Sequence, residues 1–259
     1  MKRSIFYFAI LGLLLFFFNA DAQDVAIGIR GGISIPNLSA GGSEQNPLNT
    51  GYSSRQGPDA GLYAEFKFSD LFSLQPMVQY SSQGGKKDGL QAFPTPDQIK
   101  AEYQEEGQTA PTYLYANFKS DAKLNYLMIP VLAKFGWNFH NSPLRIYVDA
   151  GPFVGFLLSA KQVTSGTSNF YLDNKGTEPL PGGAHSLDST QNIKSQLNTT
   201  NFGIEGNLGL QYKLKRSYAF IEGGGNYGFL NIQKGTANGK NNTGAATVDI
   251  GYALWLGKK

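Results

Sequence analysis

The sequence predicts an all-β chain, folded as an eight-stranded antiparallel up-and-down transmembrane β-barrel with long extracellular loops. Three observations carry this expectation. Apolar residues recur at every second position through eight segments. No position of that apolar parity is charged, although 16% of the chain is Asp, Glu, Lys or Arg. The connections between segments also alternate long and short, as in barrels whose tight turns lie in the periplasm. An Arg or Lys facing lipid at the bilayer midplane costs about 2–4 kcal/mol, so an uncharged parity is what a lipid-facing surface requires.

The chain opens with Lys2 and Arg3 before an apolar run from Ile5 to Phe18, which ends at Ala20-Asp21-Ala22. This is the layout of a secretory signal peptide cleaved after Ala22. The run falls short of the roughly 20 residues that a spanning helix needs. Residues 1–22 are therefore expected to be removed, leaving 23–259 as a barrel domain. The first strand, 25–36, alternates Val25, Ile27, Ile29, Ile33 and Ile35 with Asp24, Ala26, Arg30 and Ser34. The same period marks 58–68, 72–83, 125–135, 144–161, 202–214, 218–231 and 246–256. Short connections fall at 69–71, 136–143 and 215–217; long ones fall at 37–57, 84–124, 162–201 and 232–245. An even strand count places both termini in the periplasm of a Gram-negative bacterium, with the barrel in its outer membrane.

The opposite parity carries Arg30, Lys67, Lys134, Arg145 and Lys213 against Glu65, Asp149, Glu205, Glu222 and Asp249. An eight-stranded barrel is just wide enough for its own side chains. Charges of both signs inside it need each other as partners, so the expected lumen is charge-balanced and plugged. A proton or ion path is the other use such a network could have.

Within 84–124, Thr95-Pro96-Asp97-Gln98 reads as a helix start, with Thr95 as N-cap, Pro96 as first helical residue and Gln98 completing a capping box; Gly107 ends it. Long connections with structure of their own tend to be functional. The stretches 84–124 and 162–201 are therefore the expected site for a protein or surface-ligand partner. Tyr103, Tyr113, Tyr115, Phe118, Phe170 and Tyr171 are the candidate anchors, or equally an aromatic rim at the membrane interface.

Nothing points to catalysis, a cofactor or a metal. Gly223-Gly224-Gly225-Asn226-Tyr227-Gly228 matches a dinucleotide fingerprint, but it lies inside a strand with no helix after it. His185, Ser186 and Asp188 are too close in sequence to form a nucleophile, base and orienting acid. No His pair has metal-ligand spacing. With no cysteine there is no disulfide, thiolate site or lipoprotein anchor, and a net charge of +3 is too small to indicate nucleic acid. Outer-membrane lipid is the expected surrounding.

The stretch Tyr126-Leu127-Met128-Ile129-Pro130-Val131-Leu132-Ala133-Lys134-Phe135 resembles the outer-membrane β-barrel family abundant in Bacteroidetes, often labelled porin-like or PorT-like. Further similarity lies in Ile27 to Ser34, Gly151 to Leu158, Gly228 to Ile232 and Gly251 to Leu254. The resemblance implies an eight-stranded barrel with no catalytic residues. Two positions depart from the family pattern: Met128 replaces an inward carboxylate that could pair with Lys134, and the chain ends Leu256-Gly257-Lys258-Lys259 without a terminal aromatic. A closed scaffold with binding loops is the leading reading. A small-solute porin or transporter, and a soluble lipocalin-like carrier with inside and outside exchanged, are the alternatives.

Overall fold

The computed structural model describes residues 24–41, 46–235 and 239–256; the expected signal peptide lies outside them. In chain order the elements are β1 (Asp24–Gly41), β2 (Gly57–Lys67), β3 (Phe72–Pro94), α1 (Asp97–Glu105), β4 (Tyr113–Asn138), β5 (Leu144–Ser165), β6 (Thr167–Ser168), β7 (His185–Ser186), β8 (Ser189–Asn192), β9 (Thr200–Lys213), β10 (Ser217–Gly228) and β11 (Lys240–Trp255). The eight long strands are antiparallel throughout. They run in the order β4-β3-β2-β1-β11-β10-β9-β5, and a β4–β5 pairing closes the ring. Closure pairs each of these strands with a neighbour on both sides around the ring.

The pleat sorts side chains as their alternation requires. Ile27, Ile29 and Ile33 are 53%, 57% and 51% exposed on the outer face, whereas Ala26, Arg30 and Ser34 point inward and are buried. The interior is layered. Nearest the tight turns, Tyr63, Met77, Leu132, Tyr147, Tyr218 and Phe220 form one apolar cluster. Three of its rings sit opposite glycines: Tyr63 faces Gly28, Tyr147 faces Gly209 and Phe220 faces Gly251. A Cβ on any of these glycines would lie 2.2–2.3 Å from a ring atom, so the missing side chain is the space the ring occupies. Toward the long connections, Leu38, Leu124, Tyr126, Met128, Phe153, Leu157, Ile193, Leu197 and Ile232 form a second cluster. The charged group around Arg30 lies between the two.

The structure corrects the expected loop at 84–124. The β3–β4 ladder does not stop at Gln83↔Leu124; it continues to Pro94↔Tyr113. Gly84 makes this possible, since at φ +119° a Cβ there would strike the Ala122 carbonyl oxygen at 1.9 Å. Only 95–112 is a true connection. Its helix does form, ending before Gly107 at φ +69°, but the expected capping box does not. The Thr95 hydroxyl instead donates to the Pro111 carbonyl at 2.6 Å, tying the two ends of the connection together. The stretch 162–201 is likewise partly ordered: β5 runs on to Ser165, β8 pairs with β5, and β6 pairs with β7. At the other boundaries β10 stops at Gly228 and β11 begins at Lys240.

Candidate functional site

The centre of the lumen is built around Arg30. Its position on β1 lies between Gly61 of β2 and Gly251 of β11, and the space those glycines leave is taken by Met77 and Phe220. Its Nη1 donates to Glu222 Oε1 and its Nη2 to Glu205 Oε1, each at 2.7 Å, with Asp59 Oδ1 4.0 Å away. Tyr147 donates its hydroxyl to the other oxygen of Glu222 at 2.6 Å, and Gln79 donates to both oxygens of Asp59 at 2.9 and 3.0 Å. Asp149 accepts from Asn207 at 2.8 Å, while Asp249 lies against Gly32 in the same layer.

A second group surrounds Glu65 closer to the turns. Lys134 reaches Glu65 at 3.3 Å and Gln75 Oε1 at 3.2 Å, and its ammonium sits 4.0 Å from the centroid of the Tyr147 ring. Ser73 and Tyr218 donate their hydroxyls to Glu65, and Arg145 Nη1 stands 3.9 Å from it. Lys134 therefore finds its acid on β2, not at Met128, which belongs to the other apolar cluster.

Two of the ten charges expected in the lumen do not belong there. Lys67 pairs with Asp70 in the β2–β3 turn at 2.7 Å, and exposed Lys213 donates to Asn138 at 2.6 Å. Both are the last residues of their strands, and a flexible lysine stem at a strand end reaches solvent more cheaply than it enters the lumen. Asp59, absent from the expected set, is buried within the Arg30 group. The balance of signs is corrected accordingly. Asp59, Glu65, Asp149, Glu205, Glu222 and Asp249 outnumber Arg30, Lys134 and Arg145 among the buried lumen groups. Neutral Gln75, Gln79, Gln83, Asn207 and Gln211 share the interior, where Gln79, Gln83 and Asn207 donate and Gln75 accepts from Lys134.

At the long-connection end, a partly enclosed cavity of about 570 Å³ lies above the second apolar cluster. Its wall includes Leu38, Leu48, Tyr52, Lys87, Leu124 and Ile232. Beside it the candidate aromatics pack on one another. Phe93 contacts Phe118 and Phe170 at ring-centroid distances of 6.3 and 5.1 Å, and Phe170 stacks on His185 at 4.9 Å. Tyr115 and Tyr171 exchange backbone hydrogen bonds of 2.9 and 2.8 Å. Tyr113 closes the β3–β4 ladder opposite Pro94, and Tyr103 stands apart on α1. The Phe93–Phe170 and Tyr115–Tyr171 contacts hold the β3–β4 extension against the 166–187 stretch.

A family model described as outer membrane protein beta-barrel domain matches residues 20–234. The chain belongs to that family. Membership places the outer-membrane barrel in a Gram-negative bacterium and sets aside the soluble carrier. No curated protein matches the chain. Among solved structures, the barrel is similar to Neisserial surface protein A, with 16% identity over 88% of this chain and 97% of that one, at a TM-score of 0.39. It is similar to OprG of Pseudomonas aeruginosa, with 14% identity over 91% of this chain and 98% of that one, also at 0.39. A third is Ail of Yersinia pestis, solved in complex with the heparin analogue sucrose octasulfate, with 11% identity over 89% of this chain and 99% of that one, at 0.36.

For an outer-membrane barrel, two features of the site escape a reading of charges alone. Asp59 falls on the inward parity at the very start of the 58–68 strand, beside Pro58, where a charge reads equally well as solvated. The inward Gln and Asn residues carry no charge and so do not stand out from surface polar residues. Both obey the period-two rule, which is the signal that finds them.

Proposed function

We propose that this outer-membrane protein is a non-enzymatic, closed-lumen scaffold that holds a rigid external platform for a protein or surface-ligand partner. The observation that supports this best is the β3–β4 ladder beyond the apolar outer belt, from Gln83↔Leu124 to Pro94↔Tyr113. A paired, clamped hairpin presents its tip without the ordering cost that a loose loop must meet on binding. The Arg30 group between two apolar clusters, with the Glu65 group packed among the Tyr147 and Tyr218 rings, argues for a lumen that conducts no solute. In this reading the tight turns and both termini face the periplasm, a leader is removed after Ala22, and the Tyr126–Phe135 motif groups the chain with PorT-like barrels of Bacteroidetes.

The test is photo-crosslinking in intact cells from Tyr103 and Lys119, alongside a variant in which 89–118 is replaced by a two-residue turn. A specific adduct, lost in the shortened variant, is expected. No adduct at either position, together with an unchanged phenotype on shortening, would sink the platform. Planar-bilayer recordings are expected to show no steady conductance, and a stable open channel would favour the solute porin instead.

A further inference from the structure

The cavity above the lumen has an unusual wall. Its apolar part is largely aliphatic, from Leu38, Leu48, Leu124, Leu197 and Ile232, and its volume of about 570 Å³ falls in the small-molecule range of about 300–1,000 Å³. Lys87 and Asp188 are the charged residues in that wall. Asp188 lies at the exposed rim and accepts a hydrogen bond from the Gly166 amide at 2.9 Å. Lys87 is 8% exposed.

Nearby acids are already committed. Asp121 is held by Arg55 at 2.9 Å and Lys123 at 3.6 Å, and Asp88 faces Lys119 at 3.8 Å. The Lys87 ammonium meets the Leu48 carbonyl at 2.8 Å and the Tyr52 ring at 4.5 Å, and among the described residues no carboxylate lies within ion-pair distance of it. Three polar side chains of the wall are turned to the protein. Gln91 donates to the Phe118 carbonyl at 2.6 Å, Gln162 to Ser120 at 3.2 Å, and Thr164 to the Leu187 carbonyl at 2.6 Å. A buried cation with no counter-ion among the described residues costs free energy that an incoming anion recovers, while Leu38, Leu48, Leu124, Leu197 and Ile232 give a ligand's body an apolar surface.

We infer that this cavity binds a small amphipathic anion, a medium-chain aliphatic carboxylate, with Lys87 pairing the carboxylate and the leucine and isoleucine wall burying the chain. The site differs from the platform proposed above and stands or falls separately: crosslinking at the hairpin tip does not test it, and octanoate binding does not test the platform. Burial lowers the Lys87 ammonium to about 8, so it is charged at neutral pH and loses its charge as pH rises through that value.

The full mature chain, folded in phosphatidylcholine nanodiscs, is titrated calorimetrically with octanoate, octylammonium and 1-octanol, with heats referenced to empty nanodiscs. Saturable octanoate binding is expected, with octylammonium at least about tenfold weaker, and hexanoate weaker than octanoate by about fourfold for each methylene lost. Lys87→Met, checked for folding by unheated gel mobility, should weaken octanoate about tenfold or more while leaving 1-octanol unchanged. Should that variant fail to fold, the unaltered protein still decides the matter, because its octanoate affinity should fall between pH 7 and 9. Absent saturation, equal binding of octanoate and octylammonium, or octanoate affinity indifferent both to Lys87→Met and to pH overturns the inference.

Discussion

Arg30 is the residue on which the lumen turns. Its guanidinium holds Glu205 and Glu222 at 2.7 Å each, with all three side chains buried. Removing it leaves carboxylates without their cation, and breaking a buried pair from one side costs about 3–5 kcal/mol. Arg30→Met should therefore lose about that much in urea unfolding from lipid vesicles, and an unchanged midpoint would mean the pairing carries no stability. The outer face obeys a different rule. Ile250 is 66% exposed and pairs with Ile221 across the β10–β11 ladder, so Ile250→Arg should cost about 2–4 kcal/mol by placing charge against lipid. A third residue reports pH. In the 173–178 turn Asp173 accepts from the Thr177, Glu178 and Lys175 amides at 2.8, 2.9 and 3.0 Å. Desolvation within the turn opposes ionisation, but hydrogen bonds from Glu178, Thr177 and Lys175 outweigh it and hold the carboxyl at about 2. A depressed carboxyl steadies its turn above the usual value near 3.9, and that contribution disappears as pH falls through about 2. The amide resonances of Thr177 and Glu178 should thus titrate with a midpoint near 2; a midpoint near 4 would show that the bonds do not persist.

Among elements, β3 and β4 decide how far the barrel reaches. Beyond Tyr80↔Leu127 their ladder continues through Gly84 to Pro94↔Tyr113, so the alternate amides of 85–93 and 114–122 that face across the ladder should be protected from exchange. The helix α1 has no buried residue and no side-chain cap, which leaves nine residues with little to hold them. Limited proteolysis of the folded protein should cut first within 97–107 and spare 84–94; early cutting in 84–94 would mean the extension is a loose loop. Replacing Gly84 by Val should shift cleavage into that extension. The same elements show what the sequence could tell. Strand cores such as 25–36 and 144–161 are legible because lipid on one face forces strict alternation. The β3–β4 extension escaped it because Gly84-Gly85-Lys86-Lys87-Asp88-Gly89 reads as a turn, and above the lipid no apolar face is required. The missing cap has a similar cause: the Thr95 hydroxyl could accept from a helix amide or donate to a carbonyl, and only the folded chain brings the Pro111 carbonyl near.

Taken as a whole, the molecule reconciles a charged interior with an apolar exterior by closing its sheet. The ring order β4-β3-β2-β1-β11-β10-β9-β5 turns one parity outward on every strand, and the glycine–aromatic pairs Gly28–Tyr63, Gly209–Tyr147 and Gly251–Phe220 fill the bore at one end. The inward parity was readable from the sequence; which charges meet was not, since Arg30 joins Glu205 and Glu222 across 175 and 192 positions of chain. The excess of acids over bases was hidden for the same reason, because Lys67, Lys213 and Asp59 differ only in how near the strand end they fall. The parity itself is open to direct measurement, and with no native cysteine every introduced one is unique. Spin labels placed singly along 248–254 of β11, in lipid vesicles, should show high oxygen accessibility at Val248, Ile250, Tyr252 and Leu254 and low accessibility at Asp249, Gly251 and Ala253. Oxygen accessibility that is inverted, or that lacks a period of two, would contradict the barrel described here.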